Sequence, residues 1–231
     1  IEAIRATADP ADARRMKLSR FFDGHLRRPI MLAFLVAFFN QLSGINAIIY
    51  YAPRIFGLTG AEASATLYAT VGVGVVNLVF TLIGMALIDS AGRKKLMLIG
   101  SLGYIVSLAM VAYGFASTQY ALVPIFIFMF IAAHAIGQGA IIWVYISEIF
   151  PNTARATGQA LGTGTHWVLA AALTLVMPGV LATVAPVWIF GFFAFMMVLQ
   201  LLFVLFMMVE TRGRSLEELS VDLASEPTVR S

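Results

Sequence analysis

The sequence is poor in charged side chains. Its 231 residues include 15 Lys or Arg and 12 Asp or Glu, so that only 12% are charged while 60% are apolar. A soluble domain is about a quarter charged, so this composition argues against an ordinary water-soluble enzyme. It also argues against a nucleic-acid-binding protein, because a net charge of +3 over so few cations is too small to follow a phosphate backbone.

Cysteine is absent and histidine is scarce. Without cysteine, disulfides and thiolate metal sites are excluded. The three histidines, His25, His134 and His166, form no pair at the spacing of a zinc-binding helix, so we expect no metal and no cofactor. The polar opening segment has no secretory signal pattern. The first residue is Ile rather than Met, which indicates either a removed leader or a piece of a longer chain.

Long apolar runs are abundant. Eleven of the charges lie in residues 1–29 and eight in residues 210–231. The others leave four charge-free runs, at 30–53, 63–88, 96–147 and 156–209. About 20 apolar residues cross a bilayer as a helix, so the two short runs hold one span each and the two long runs hold two. The sequence therefore predicts an all-α integral membrane protein with six transmembrane helices, at 30–57, 63–88, 96–115, 120–149, 157–180 and 186–209.

The cations predict the orientation of these spans. Fourteen of the 15 Lys and Arg fall in segments that a six-span chain places on one side, and only Arg54 falls on the other. By the positive-inside rule, both termini are cytoplasmic in a multi-pass protein of the plasma or inner membrane. We expect residues 1–29 to form amphipathic or linker helices, residues 30–209 the six-span unit, and residues 210–231 a cytoplasmic tail.

The densest polar cluster inside a predicted span lies in the first one. Three carboxamides, Asn40, Gln41 and Asn46, surround Gly44, which weakens the helix. An amide both donates and accepts hydrogen bonds, as a hydroxyl does, so this cluster suits a neutral polyhydroxy ligand. The alternative is that the amides bind neighbouring helices together. Three amides beside a glycine favour the ligand site.

Further polar and aromatic residues occur in the second, fourth and fifth spans. Asn77 stands alone near mid-membrane, as expected of a residue that joins helices. Trp143 and Trp167 could stack on the apolar face of a sugar, and His166 could bind its hydroxyls, although a single Trp is also common in helix packing. His134 has no obvious partner in the sequence and is interpreted as a core histidine.

A second cluster is predicted at the cytoplasmic helix ends. Asp89 and Arg93, Glu148 and Arg155, and Glu210 lie at three neighbouring ends. Such acids and bases permit ion pairs that form in one conformation and break in another. The alternative is simple anchoring at the membrane interface.

Four segments in the same order resemble motifs of the sugar porters of the major facilitator superfamily, both the xylose-type and the glucose-transporter-like members. Residues 40–46 and 50–51 are similar to the family's seventh-span motif, Gln-Gln-x-Ser-Gly-Ile-Asn followed by Tyr-Tyr. Residues 89–94 match the loop motif Asp-x-x-Gly-Arg-Arg/Lys. Residues 143–155 match Trp-x-x-x-Ser-Glu-Ile-Phe-Pro followed by Arg, and residues 210–218 match the last signature. Together they resemble the C-terminal six-span half of that fold.

The resemblance implies sugar transport by alternating access, and no enzyme activity. Its implied partners are a neutral monosaccharide, the lipid bilayer and a missing N-terminal six-span half. Because the family's proton-coupling carboxylate lies in that half, proton symport and facilitated diffusion both stay open. The implied substrate-binding residues are Asn40, Gln41, Asn46, Asn77, Trp143, His166 and Trp167; the implied outer gate is Tyr50 and Tyr51; and the implied cytoplasmic ion-pair latch is Asp89, Gly92, Arg93, Glu148, Arg155 and Glu210.

The chain departs from the family pattern at five places. Asn40 replaces a Gln, which shortens the reach of its amide by one methylene. His166 stands where relatives have Asn or Gln, which predicts a changed sugar preference. In the fourth span, Ala140 replaces a Pro that bends the helix and Ala135 replaces a Glu. Val209 replaces the Pro of the last signature.

Two other functions are compatible with a six-span protein. One is transport of a polyol, an organic acid or a drug, although the absence of a cation near mid-depth disfavours an acid. The other is an intramembrane serine protease with Ser43 as its nucleophile. Gln41 takes the place of the leading Gly that such a motif needs, so the transport hypothesis is favoured.

Overall fold

The computed structural model describes residues 21–22, 24–215, 218–219 and 222–223. Every regular element in these residues is helical. In chain order they are α1 (Arg27–Leu42), α2 (Ile45–Tyr50), α3 (Ala52–Gly57), α4 (Ala63–Ala91), α5 (Arg93–Ala116), α6 (Leu122–His134), a π-helical turn (Ala135–Gly139), α7 (Ala140–Glu148), α8 (Arg155–Thr183) and α9 (Pro186–Phe206).

Six stretches of this helical chain are long and apolar enough to cross a membrane, which confirms the predicted fold class. They are Arg27–Tyr50, Ala63–Ala91, Arg93–Ala116, Leu122–Glu148, Arg155–Thr183 and Pro186–Phe206. Several helices run a few residues beyond the charge-free runs, because charged side chains at a helix end reach the interface. Of the predicted terminal segments, residues 1–20, 23, 216–217, 220–221 and 224–231 lie outside the described residues.

The first span is broken into separate helices. Gly44 has φ of 83°, a left-handed conformation that ends α1 and lets α2 begin at the next residue. The Ser43 hydroxyl donates to the Asn40 carbonyl at 2.6 Å and accepts from the Ile45 backbone N–H at 3.3 Å, so it serves the break on both sides. A second break at Tyr51 precedes α3, whose first turn contains Pro53.

A π-helical turn interrupts the fourth span just before Ala140, the position at which a proline is missing. A π-helical turn, Ala135–Gly139, separates α6 from α7 and widens the backbone there. Gly137 lies so close to α5 that a Cβ added to it would stand 3.0 Å from the Gly100 Cα. Small residues allow this approach of two backbones, so Gly100 and Gly137 permit the close packing of the π turn against α5.

A buried polar network joins the fourth span to α5 and α9. The Gln138 amide donates to Gln200, whose own amide donates to the Ser101 hydroxyl at 2.8 Å. His134 also has a partner that the sequence did not reveal, because its Nδ1 lies 2.5 Å from the Tyr104 hydroxyl. In an apolar interior such bonds satisfy groups that would otherwise be costly to bury, and they fix the π turn against its neighbours.

The six spans differ in how much surface they bury. The first span is the most buried, with α1 packed against α8 and α9. The spans α4 and α8 are the least buried and present apolar side chains such as Leu67, Tyr68 and Leu175 to the outside. Exposed apolar faces of this extent must be covered by lipid or by other protein.

Candidate functional site

A chain of hydrogen-bonded amides lies at the break in the first span. Gln41, at the end of α1, is fully buried and forms its centre. Its Nε2 donates to the Asn40 Oδ1 at 2.9 Å, and its Oε1 accepts from the Asn46 Nδ2 at 2.9 Å. The three carboxamides that the sequence singled out are therefore in direct contact.

The helix break explains why these three side chains meet. Asn46 lies five residues after Gln41, a spacing that places two residues on different faces of a continuous helix. The left-handed Gly44 redirects the chain between them, so α2 brings Asn46 back over the end of α1. The unwound segment thus gathers amides that a regular helix would separate.

The fifth span adds an imidazole to this cluster. The Gln41 Nε2 lies 3.0 Å from Nδ1 and 3.2 Å from Nε2 of His166, which projects from α8. The packing of α1 against α8 produces this contact over 125 residues of sequence.

Two indole rings flank the same histidine. The ring centroids of Trp143 and Trp167 each lie 5.0 Å from that of His166. Trp143 is half-buried on α7, and the Gln159 amide holds its backbone carbonyl at 2.9 Å. Trp167 is 56% exposed. Amides and an imidazole beside open aromatic faces are the groups that bind a small polyhydroxy ligand.

Not every residue that the sequence indicated joins this cluster. Asn77 is half-buried on α4 and makes no hydrogen bond to the described residues. Tyr51 donates to the Thr174 carbonyl on α8 at 3.0 Å, whereas Tyr50 is 55% exposed. Ser43, the nucleophile of the protease alternative, is buried and committed to the helix break.

A second cluster, centred on Arg93, lies where α4 ends, α5 begins and α7 ends. The Arg93 guanidinium binds both carboxylate oxygens of Glu148, with Nε at 3.2 Å and an amino nitrogen at 2.8 Å. It also donates to the Ile88 carbonyl at 3.0 Å and pairs with the exposed Asp89 at 3.0 Å. This two-bond geometry is the strong form of an arginine–carboxylate pair, and it joins α4, α5 and α7.

Glu210 belongs to the same region but binds backbone rather than a cation. Its carboxylate accepts from the N–H groups of Arg93 and Lys94, both at 3.0 Å. These are free donors at the first turn of α5, where the helix dipole favours an anion. Gly92 leaves the necessary room, because a Cβ there would stand 2.7 Å from a Glu210 oxygen, and its φ of 93° suits glycine.

The structure adds one member to this cluster and leaves one outside it. The Thr211 hydroxyl donates to Glu148 at 2.6 Å. Thr211 lies within the last signature, and an uncharged side chain gives no signal in a pattern of charges. Arg155 does not reach the ion pair. Its Nε and one amino nitrogen are buried without a hydrogen-bond partner among the described residues.

Comparison with known proteins gives consistent results. A family model described as sugar (and other) transporter matches residues 1–223. The chain is 37% identical over 204 residues to the arabinose-proton symporter of Bacillus subtilis, covering 87% of this chain and 44% of that protein. It is 32% identical over 211 residues to the glucose transporter GlcP of Staphylococcus epidermidis, covering 89% and 47%.

Solved structures agree with this. The proton:xylose symporter XylE bound to 6-bromo-6-deoxy-D-glucose, a structure of the major facilitator superfamily, superposes with a TM-score of 0.76 at 31% identity. That match covers 84% of this chain and 42% of the other. The inward-open xylose transporter XylE from E. coli gives a TM-score of 0.75 at 28% identity. The chain spans less than half the length of the relatives it matches here.

Proposed function

We propose, from the premise that this chain belongs to the sugar (and other) transporter family within the major facilitator superfamily, that it is the C-terminal six-span half of a transporter for a neutral monosaccharide. In this architecture the substrate lies near the bilayer midplane between two halves that rock around it. The enzyme alternative is set aside, because the family is one of transporters. The protein is integral to the membrane.

The observation that carries the proposal is the amide chain around Gln41. Carboxamides, an imidazole and two indoles offer hydrogen bonds and stacking surfaces without bringing in a charge. Among the described residues, every Lys and Arg lies at or beyond the end of a span, which favours a neutral ligand over an organic acid. We assign sugar contacts to Asn40, Gln41, Asn46, Asn77, Trp143, His166 and Trp167.

Replacing Gln41 with Ala tests this assignment. The change leaves Asn40, Asn46 and His166 without their shared partner and removes one sugar contact. In the whole protein that the gene encodes, we expect sugar binding to weaken by about 1–3 kcal/mol. Titration calorimetry with D-xylose, L-arabinose and D-glucose measures this effect. Gln119→Ala, in the exposed outer loop, is the matched control, and an unchanged affinity in Gln41→Ala would remove Gln41 from the site.

We propose that Tyr50 and Tyr51 form the outer gate. The hydrogen bond from Tyr51 to the Thr174 carbonyl supports this role, because it ties the region after α2 to α8 above the amide chain. Breaking this bond would free the end of the first span to move. Tyr50, whose ring is exposed, is free to close over a bound sugar from the other side of the same break.

We propose that the cluster of Asp89, Gly92, Arg93, Glu148 and Glu210 forms a cytoplasmic latch, with Arg155 as its link to the second half. The buried Arg155 nitrogens that lack a partner among the described residues support this link. An unpaired buried cation is costly, and a carboxylate from a packed neighbour would remove that cost. The excess of Lys and Arg on this side supports placing both ends of the chain in the cytoplasm of a plasma or inner membrane.

We also propose that a coupling proton, where one is used, binds to the second half. Within the described residues, the acidic side chains in the spans lie in the last turn of a helix, Asp89 in α4 and Glu148 in α7. The arabinose and xylose relatives are named as proton symporters, while a mouse relative is named as a facilitated glucose transporter. The coupling carboxylate, if the transporter is a symporter, must therefore come from outside these spans.

Transport is expected to require both halves. Liposomes that contain only this chain should take up no more labelled D-xylose than empty liposomes, because one half supplies one wall of the pathway. Liposomes with the whole protein that the gene encodes are the positive control. Uptake by a preparation of this chain that light scattering shows to be monomeric would contradict the need for a second half.

A further inference from the structure

The amide chain at the helix break has a direction. Asn46 donates to Gln41, and Gln41 donates both to Asn40 and towards the ring of His166. In each of these bonds, the group nearer to Asn46 donates and the group nearer to Asn40 or His166 accepts. This arrangement requires an acceptor at its His166 end, since the Gln41 Nε2 has no lone pair to offer the ring.

Only a neutral imidazole can supply that acceptor. A neutral ring has one N–H and one lone pair, whereas a protonated ring has two N–H groups and accepts nothing. When His166 is protonated, Gln41 must turn its amide so that Oε1 faces the ring. Asn40 and Asn46 must then turn as well, because both would otherwise face Gln41 with like groups. The pattern of donors and acceptors shown to a ligand is thereby reversed.

We propose that His166 is a positioning residue whose charge state sets the direction of the Gln41 amide and so makes sugar affinity depend on pH. The proposal rests on the proposed function, because it assumes that the amides bind the sugar. It assigns to the histidine a role that an Asn or Gln at the same place could not have. Histidine is the residue whose ordinary titration range lies near physiological pH.

Two indole rings are the aromatic neighbours of the His166 ring. Both indoles lie at a distance suited to cation–π attraction. No charged side chain in the described residues hydrogen-bonds to the ring. The titratable or charged groups on α8 and on the elements that contact it are Arg155, Arg27, Arg28, Tyr50, Tyr51, Arg54, Tyr145 and Glu148. His134 lies close enough for its charge to interact with that of His166.

The sign of the effect follows from these neighbours. The carboxylate in that group, Glu148, is bound by Arg93 and Thr211 at the cytoplasmic end, so it does not neutralise the ring. A protonated His166 would be attracted to the indole faces on which a sugar would stack. It would also make the side-chain amides of Gln41, Asn40 and Asn46 turn around. Sugar therefore binds better to the neutral form, and affinity falls as the pH is lowered.

The test measures the dissociation constants of D-xylose, L-arabinose and D-glucose between about pH 5 and about pH 8 in the whole protein. Wild-type affinity is expected to weaken roughly tenfold at the acid end, the size of one unmade hydrogen bond. His166→Gln keeps an acceptor for the Gln41 amide and cannot titrate, so its sugar affinity, whatever its value at neutral pH, should stay constant across this pH range. His25→Gln, outside the spans and exposed, should keep the wild-type dependence on pH.

A second readout does not depend on sugar. The side-chain amide resonance of Gln41, assigned by its loss in Gln41→Ala, should shift with pH in the wild type and not in His166→Gln. A change of affinity with pH that persists in His166→Gln, or a Gln41 resonance that does not shift with pH in the wild type, would overturn this proposal. In either case, sugar binding at neutral pH would leave the proposed function standing. Failure of the wild type to bind any of the three sugars at any pH would overturn both.

Discussion

Replacing Arg93 with Ala is expected to destabilise the protein and to release the ends of α4, α5 and α7 from one another. The change removes the two-bond contact with Glu148 and leaves that carboxylate largely buried with only the Thr211 hydroxyl. Removing one partner of a buried ion pair costs about 3–5 kcal/mol. Glu148 keeps 24% of its side chain exposed, so we expect the lower end of that range. Thermal unfolding of the whole protein measures it.

The same variant should shift the balance between conformations more than the affinity for an enclosed sugar. This chain has no cysteine, so Ser147→Cys near the end of α7, in a version of the whole protein whose remaining part is also free of cysteine, reports on access to this cluster. Labelling of this cysteine should be faster in the presence of Arg93→Ala, because the ends of α4, α5 and α7 are no longer held together. Equal labelling rates would mean that Arg93 does not act as a latch.

Two further variants distinguish the loss of the Arg93–Glu148 ion pair from the loss of a positive charge in this region. Lys95→Ala removes an exposed cation two residues away and should change neither stability nor labelling. Arg93→Met combined with Glu148→Gln removes both charges and retains bulk, so it should recover part of the stability lost in Arg93→Ala. Recovery is expected because an unpaired buried charge costs more than the absence of the pair.

The six spans could be predicted from the sequence because membrane insertion depends on apolar length, which is a local property. The amide cluster was also visible, since Asn40, Gln41 and Asn46 lie within seven residues of one another. The partners of these groups were not visible. The contact between Gln41 and His166 and the bond between Gln138 and Gln200 join residues 125 and 62 positions apart, and a single sequence carries no signal of such distances.

The cluster around Arg93 could be predicted only in part, for a different reason. Reasoning from charge alone matches each acid with a base. On that basis, Glu210 and Arg155 were predicted to lie in one ion-pair network. The structure brings Glu210 to the backbone N–H groups of α5, and it leaves two Arg155 nitrogens without a partner in the described residues. The first arrangement depends on the direction of a helix axis. For the second, we propose a partner outside the described residues, which the pattern of charges in this sequence cannot reveal.

The fourth span has Ala140 where the resemblance implies a proline that bends the helix. The structure has a π-helical turn just before this position, and Gly137 in that turn lies in close contact with α5. Proline is one of several ways to bend a helix, so the loss of a single motif residue did not determine the local structure. In the first span, by contrast, the break depends on Gly44 itself. Adding one methyl group there is therefore expected to have a large effect on stability and on the candidate site.

Replacing Gly44 with Ala is expected to destabilise the first span and disable the candidate site. Two costs add, because φ of 83° is left-handed and the new Cβ would stand 2.6 Å from the Phe193 ring. The left-handed conformation costs a non-glycine residue about 1–2 kcal/mol, and forcing a methyl group into a packed core costs about 1–3 kcal/mol. The variant should melt at a lower temperature and bind sugar more weakly, since the break aligns Asn46 with Gln41.

A matched glycine and a double variant separate these two costs. Gly164→Ala on α8 meets nothing within 4 Å and should leave thermal unfolding and sugar affinity near those of the wild type. Phe193→Ala combined with Gly44→Ala removes the clash but keeps the backbone strain, so its melting temperature should lie above that expected if the two single effects simply added. Wild-type melting and wild-type affinity in Gly44→Ala would show that the left-handed break is not what holds the amides together.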